Sequence, residues 1–257
     1  MITIAICNQK GGVGKTTTTF NLGACLAKKG KKVLLVDLDP QGNLSSYCQF
    51  DDEEAVTIAD LITSEIACIL EKEDILGAIR TYDKTGIDYI PANIGLSVTE
   101  TQLVNATMGE WMLSSILKNV ADKYDYCIID CLPSLGQLFT NALFASDKAI
   151  VPVQTQKFAK DGLSQLFTTV KQLQTKRTKI AQTEPIKIIG IIPTMTENTN
   201  ISKKVMQALQ EQYSGMILPE IKKRIAAANA SDTGIAVSGE LGEAYMAIAD
   251  IVEKDGE

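Results

Sequence analysis

Ile2-Thr3-Ile4-Ala5-Ile6-Cys7-Asn8-Gln9-Lys10-Gly11-Gly12-Val13-Gly14-Lys15-Thr16-Thr17 opens the chain and decides its fold. The run Ile2–Cys7 is apolar at both alternating sets of positions apart from Thr3, which is how a strand buried on both faces reads. The glycines that follow permit positive φ and let backbone N–H groups approach an anion closely. Thr16–Lys29 then reads as a helix that stops at Gly30, a residue suited to the position just past a helix end. Strand, glycine loop and helix in this order bring loop amides and the positive end of a helix dipole to one phosphate site. Lys15 is placed to reach the β- and γ-phosphates, and the Thr16 hydroxyl to ligate Mg²⁺. Lys10, Gly11, Gly12, Val13, Gly14 and Thr17 complete the segment, so ATP and Mg²⁺ are the expected cofactors. The general phosphate-loop pattern would put glycine at Gln9; this chain has Lys10 after it instead.

The same alternation continues outward. Lys32–Asp37, Ile87–Pro91, Tyr124–Asp130, Lys148–Val153 and Lys187–Pro193 read as strands. Asp51–Leu70 reads as acidic and mostly helical, Leu96–Val120 as two helices broken near Gly109. Phe158–Gln174, Ile201–Tyr213 and Glu240–Val252 read as further helices. Apolar strands separated by helices predict an α/β fold, a mostly parallel, doubly wound sheet covered on both faces. With 257 residues and no repeat or linker, one P-loop domain over residues 1–257 is expected. The acidic tail Glu253–Glu257 reads as a frayed end.

Composition removes several classes of chemistry. The chain has no histidine, so Ser-His-Asp and Cys-His catalysis and the commonest zinc ligand are out. Its six cysteines form no C-x-x-C pair, and Cys7, Cys25 and Cys127 fall in apolar segments as core residues. No apolar run is long enough to span a bilayer. The start lacks a basic region and runs straight into the loop, so it reads as a buried strand, not a signal peptide, and the expected location is cytoplasmic. A net charge of −6 argues against a surface coated in positive charge for nucleic acid, though not against local patches.

Phosphoryl transfer needs Mg²⁺ held and a water positioned in line. Carboxylates at the C-terminal ends of parallel strands can do both. Asp37 and Asp39 follow Val33–Val36, and Asp130 follows Ile128-Ile129. Read from the residues alone, each could instead be a turn or cap residue.

Lys10–Thr17 resembles the deviant Walker loop of the ParA/MinD-type ATPases. The resemblance implies that Lys10 reaches across a dimer interface to the partner's nucleotide, the active form being an ATP-sandwich homodimer. Val36-Asp37-Leu38-Asp39-Pro40-Gln41-Gly42-Asn43 is similar to that family's second nucleotide motif, which implies that Asp39 positions the attacking water and contacts the magnesium shell while Asp37 supports the loop. Asp130 matches the Walker B aspartate and is implied to hold Mg²⁺ through water, with Thr16. The following loop reads Cys131-Leu132-Pro133-Ser134-Leu135-Gly136, where Leu132 replaces the family's first proline; a looser loop is expected, and Cys131 is given no role. Ile90-Pro91-Ala92-Asn93 and Ile150-Val151-Pro152-Val153-Gln154 resemble further family strands. Ile191-Ile192-Pro193-Thr194-Met195 resembles the strand leading to the adenine pocket, which implies a nucleotide contact for Thr194. Thr196–Asn200 lacks the arginine often found there.

No helix-turn-helix segment precedes Met1, so the chain looks like the short, Soj-like partition ATPases. Its acidic end, Ala249–Glu257, is unlike the basic membrane helix of the MinD branch, and no membrane partner is expected. The resemblance implies non-specific DNA binding by the ATP-bound dimer, release through hydrolysis stimulated by a ParB-like partner, slow hydrolysis without it, and association with the nucleoid. Lys222, Lys223 and Arg224 stand where the family carries DNA-binding arginines, with Ala226 in place of the second one. Lys171, Lys176, Arg177, Lys179, Lys203 and Lys204 are other local positives; the plain reading of all of them is solvated helix faces. The expected function is a chromosome or plasmid partition ATPase. A same-fold ATPase that positions a protein cargo and a nucleotide-binding regulatory switch remain as alternatives.

Overall fold

The computed structural model describes residues 1–52, 54–156, 159–181, 184–224 and 233–256. Among these, eight strands form one sheet in the order β3-β4-β2-β5-β1-β6-β7-β8. The strands are β1 (Ile2–Ile6), β2 (Val33–Leu38), β3 (Arg80–Tyr82), β4 (Ile87–Ile90), β5 (Tyr126–Cys131), β6 (Lys148–Gln154), β7 (Lys187–Thr196) and β8 (Ile221–Lys222). All pairings are parallel except β3 with β4, an antiparallel edge. The helices are α1 (Lys15–Lys28), α2 (Asn43–Tyr47), α3 (Ile58–Ile66), α4 (Lys72–Ala78), α5 (Leu96–Asn105), α6 (Met112–Lys118), α7 (Gln137–Ala145), α8 (Ala159–Ala181), α9 (Asn200–Gln212) and α10 (Gly239–Lys254), with a 3₁₀ turn at Gly109–Trp111. The mostly parallel α/β sheet expected from the strand pattern is therefore present.

The period-2 geometry of the strands sorts the core into two layers. Ile4 and Ile6 of β1, with Val33 and Leu35 of β2, pack under Phe20, Leu22 and Leu26 of α1 and Leu241, Tyr245 and Ile248 of α10. Ala5, Leu34, Val36, Cys127 and Ile129 face the other way, against Leu61 and Ile62 of α3, Leu113 and Ile116 of α6, Phe139 and Leu143 of α7 and Leu166 of α8. That two-sided demand is why these strands are apolar throughout.

Chain order then creates the cleft. β1 leads through α1 to β2 on one side, whereas its neighbour β5 leads through α7 to β6 on the other. The two connections part above the C-terminal ends of β1 and β5 and leave a crevice there, the place where open α/β sheets bind ligands.

Several sequence expectations change. The stretch 51–70 is helical only over Ile58–Ile66, because Thr57 and Asp60 form a reciprocal capping box that starts the helix there. The short β3, β8, α2, α4 and α7 were not anticipated. The acidic tail is not frayed: α10 runs to Lys254, Glu253 pairs with Lys29 and Lys31, and Asp255 pairs with Lys148 and Lys187. The lysines come from the turn after α1 and from β6 and β7, so the tail's charge is answered only in the folded chain. Cys7 and Cys127 are buried as expected, but Cys25 is half-buried. Arg177 is no surface positive: it is buried, and its guanidinium donates to the carbonyls of Leu143 and Ser146. Lys176 pairs with Glu110. Phe158, Ile225, Ala226 and Glu257 lie outside the described residues. No helix among the described residues is long and apolar enough to cross a membrane.

Candidate functional site

The glycine loop leaves β1 and is held from beneath. Asn8 is buried; its amide donates to the Pro152 carbonyl at 2.7 Å, and its carbonyl oxygen accepts from the Lys10 N–H at 2.9 Å. Thr194 is also buried and donates its hydroxyl to the Val13 carbonyl at 2.8 Å. The loop is thus tied to β6 and β7. Gly14 sits at the N-cap of α1 with φ +85°, a left-handed conformation that glycine adopts without strain. Thr18 N–H then donates to the Gly14 carbonyl and the helix begins. Thr194 therefore stands behind the loop, bracing it, and Met195 (φ +50°) is the residue of this strand that lines the cleft.

Lys15 is buried at 7% exposure, with Nζ 3.1 Å from the Lys10 carbonyl. Burial lowers its pKa, while Asp130, Cys131 and Asp39 act in the opposite sense. Thr16 donates to Asp130 Oδ2 at 2.6 Å, and Thr19, one turn along α1, lies 3.4 Å from Asp130 Oδ1. Parallel register sets Asp130 level with Ile6, the last residue of β1, and with Asp37 of β2. Asp130 is 1% exposed; burial pushes its carboxyl up to about 8, with Asp37 adding to the rise and Thr16 and Lys15 opposing it.

Asp37 is fully buried. It accepts from the Ser45 N–H at 2.8 Å, the Ser45 hydroxyl at 2.7 Å and the Asp39 N–H at 3.2 Å. It fastens the turn between β2 and α2 and does not face the cleft. Asp39 does face it: its carboxylate accepts from Gln41 N–H at 3.0 Å, and Pro40, Gln41 and Asn43 line the cleft beside it. On the opposite wall are Leu132, Pro133 and Ser134, with Ser97 and Glu100 of α5. Leu132, expected to loosen its loop, is 7% exposed and belongs to the core cluster that includes Phe139 and Leu138. Its side chain anchors the loop by packing in place of proline's stiffness.

The cleft has a volume of about 810 Å³ and takes in Gly11, Gly12, Gly14, Lys15, Thr16, Thr17, Asp39 and Tyr47. The carboxylates of Asp130 and Asp39 share a single buried ammonium, that of Lys15, so the site is short of positive charge. Magnesium binds through one or two carboxylates, waters and substrate phosphates, and seldom in an all-protein cage. Thr16 beside Asp130 fits that chemistry. Lys10 is exposed and is not among the residues lining its own chain's cleft; its Nζ lies 3.5 Å from Gln156 Oε1. Asn8, Thr19 and Ser45 escaped the sequence reading, since polar residues beneath a motif carry no spacing signal of their own.

The basic segment lies apart from the cleft. Lys222 and Arg224 both pair with Glu240, the latter at 2.8 Å, and Lys223 pairs with Glu197 at 2.7 Å. With Lys203 and Asn198 they border a second hollow of about 730 Å³.

Comparison with known proteins places this arrangement. A family model described as an AAA domain matches residues 1–183. The chain is 41% identical over 222 residues to the sporulation initiation inhibitor protein Soj of Bacillus subtilis, covering 86% of this chain and 83% of that one. It is 36% identical over 263 residues to the chromosome-partitioning ATPase Soj of Treponema pallidum, covering 99% and 98%. An ATP complex of McdA from Cyanothece superposes with a TM-score of 0.86 at 27% identity, covering 98% of this chain and 96% of that one. The fold also serves other chemistry: cobyrinic acid a,c-diamide synthase from Mycobacterium smegmatis, bound to an ATP analogue and magnesium, gives 0.84 at 30% identity, covering 100% and 96%. On loop, carboxylates and near-full-length similarity together, the chain belongs to the Soj/ParA family of chromosome-partitioning ATPases.

Proposed function

We propose that residues 1–257 act as one ATPase domain that closes as a homodimer over two ATP molecules, binds non-specific DNA in that state, and is released when a ParB-like partner stimulates hydrolysis. The observation that carries this reading is the separation of the two loop lysines. Lys15 is buried in the cleft, whereas Lys10, five residues earlier in the same loop, is exposed and lines no part of it. A lysine so placed can complete the charge balance of a second chain's cleft.

Within each cleft, Gly11–Thr17 supply backbone donors to the phosphates and Lys15 supplies a fixed cation. Thr16 and Asp130 hold Mg²⁺, which when bound neutralises charge on the phosphates. Asp39 orients the attacking water. Little else in the chain activates that water, which accords with slow turnover of the chain alone. Thr194 supports nucleotide binding from behind the loop. Lys222, Lys223 and Arg224 supply phosphate contacts to DNA, and the ATP-bound form resides on the nucleoid in the cytoplasm. Their pairing with Glu240 and Glu197 is the one observation that favours the protein-cargo alternative.

The test is co-sedimentation with non-specific duplex DNA, comparing ADP, ATP, and Asp39→Ala with ATP, at low and moderate salt. Binding that needs ATP, strengthens in Asp39→Ala and weakens with salt is expected. A chain that binds ATP and dimerises yet never retains DNA would refute the DNA role and leave the protein-cargo reading.

A further inference from the structure

Glu100 lies on α5, outside every motif that identifies the nucleotide site. It nevertheless lines the cleft together with Pro133 and Ser134 of the loop that follows Asp130. Glu100 Oε1 accepts from the Leu138 N–H at 3.3 Å, one of the free amides in the first turn of α7. Gly136 at the N-cap of α7 has no side chain to cap that turn. An acceptor from another helix fills the role, and its negative charge suits the positive end of α7.

Gly136 itself gives a second, independent indication. Its φ of −79° and ψ of −159° are open to any residue, so its backbone does not require glycine. The space does. A Cβ added there would fall on Glu100 Oε1, closer than real Cβ atoms approach a neighbour, and 3.3 Å from the carboxyl carbon. With the carboxylate in this position, a side chain at residue 136 would crowd both it and the Ser134 hydroxyl. Gly136 N–H also donates to the Ser134 hydroxyl at 3.1 Å, so the seat of Glu100 extends into the cleft wall. Pro133 in turn approaches the phosphate loop at Gly11, 3.9 Å from where a Cβ would stand.

We propose that Glu100 is a positioning residue for ATP turnover: by occupying the space left open at Gly136 and capping α7, it fixes the wall formed by residues 132–136 against the phosphate loop. This rests on the hydrolysis assigned above. It acts through the loop and not on the substrate, so its chemistry requires an acceptor oxygen, which glutamine retains.

The experiment is single-turnover phosphate release and ATP affinity for the full chain and four variants: Glu100→Ala, Glu100→Gln, Gly136→Ala and the double variant Glu100→Ala/Gly136→Ala. The expected loss in Glu100→Ala is about three- to tenfold in hydrolysis rate, the range of one positioning hydrogen bond, with ATP affinity within about twofold. Glu100→Gln should keep the wild-type rate. Gly136→Ala should match Glu100→Ala, because its methyl displaces the carboxylate, and the double variant should be no worse than either single one. Amide exchange over residues 134–138 should rise in both single alanine variants. Equal rates in Glu100→Ala and wild type would overturn the proposal even if thermal stability fell, since that is a cap without a role in turnover. A Glu100→Gln as slow as Glu100→Ala would also overturn it, because the charge would then be acting on the substrate. Additive losses in the double variant would separate Gly136 from Glu100 and do the same. If wild type binds ATP and never releases phosphate, the hydrolysis reading fails and this one fails with it.

Discussion

Ser45→Ala tests the buried support beneath the Asp39 turn. The Ser45 hydroxyl donates to Asp37 Oδ2 at 2.7 Å and accepts from the Ala92 N–H at 2.9 Å, and all three groups are buried. Removing it deletes a hydrogen bond to a charged group, about 1.5–3 kcal/mol, and leaves a buried N–H unpaired, about 1–3 kcal/mol. Taken together the loss is about 4 kcal/mol, which for a domain of this size lowers the melting temperature by roughly 8–16 °C. The deficit also depends on pH. Burial pushes the Asp37 carboxyl up to about 6, and the two Ser45 hydrogen bonds pull against that rise. For an acid whose folded pKa is raised, stability is fully present below the unfolded pKa and is lost as pH rises through the folded one. Ser45→Ala raises the folded pKa further, so its deficit is largest above about pH 6 and shrinks at about pH 5, where Asp37 is mostly neutral in the fold. Urea unfolding followed by circular dichroism at these two pH values measures both effects. A loss under about 1 kcal/mol, or an equal loss at both pH values, would refute the reasoning.

Two further outcomes follow from the geometry. Glu240→Gln frees Lys222 and Arg224 from an exposed carboxylate, so non-specific DNA binding of the ATP-bound chain should tighten several-fold at low salt, with less gain at high salt; a gel shift at two ionic strengths checks it, and unchanged affinity would show that the segment does not meet phosphate. Thr194→Val removes the donor to the Val13 carbonyl while keeping the shape, so stability should fall by about 1 kcal/mol and ATP affinity should drop with it, as read by thermal melts with and without nucleotide; a melt shifted equally in both conditions would mean the brace does not reach the nucleotide.

Much of the site was legible because its chemistry is local. Lys10–Thr17 is contiguous, and the placement of its residues follows from one strand, one turn and one helix. Asp39 and Asp130 were readable because each ends an apolar run, and the ends of parallel strands meet at one edge. Asn8, Thr19, Ser45 and Glu100 were not, because each has a partner eight or more residues away that only folding brings near: Pro152, Asp130, Asp37 and Leu138. The basic segment Lys222–Arg224 looked free for the same reason. Glu240 and Glu197, which hold it, are 16 or more residues distant in the chain.

The sequence by itself determined that this chain folds as a parallel α/β sheet with a phosphate loop after its first strand, since backbone φ preferences, strand and helix periodicity and a contiguous motif are properties of neighbouring residues. Only the tertiary structure decided which polar groups are buried and by what they are answered. It raised Asp37 and Asp130 by excluding water, folded the tail against Lys148 and Lys187, packed Leu132 into the core, and set the Glu100 carboxylate in the space left open at Gly136. Burial and long-range pairing are collective; they exist only once distant segments share one interior.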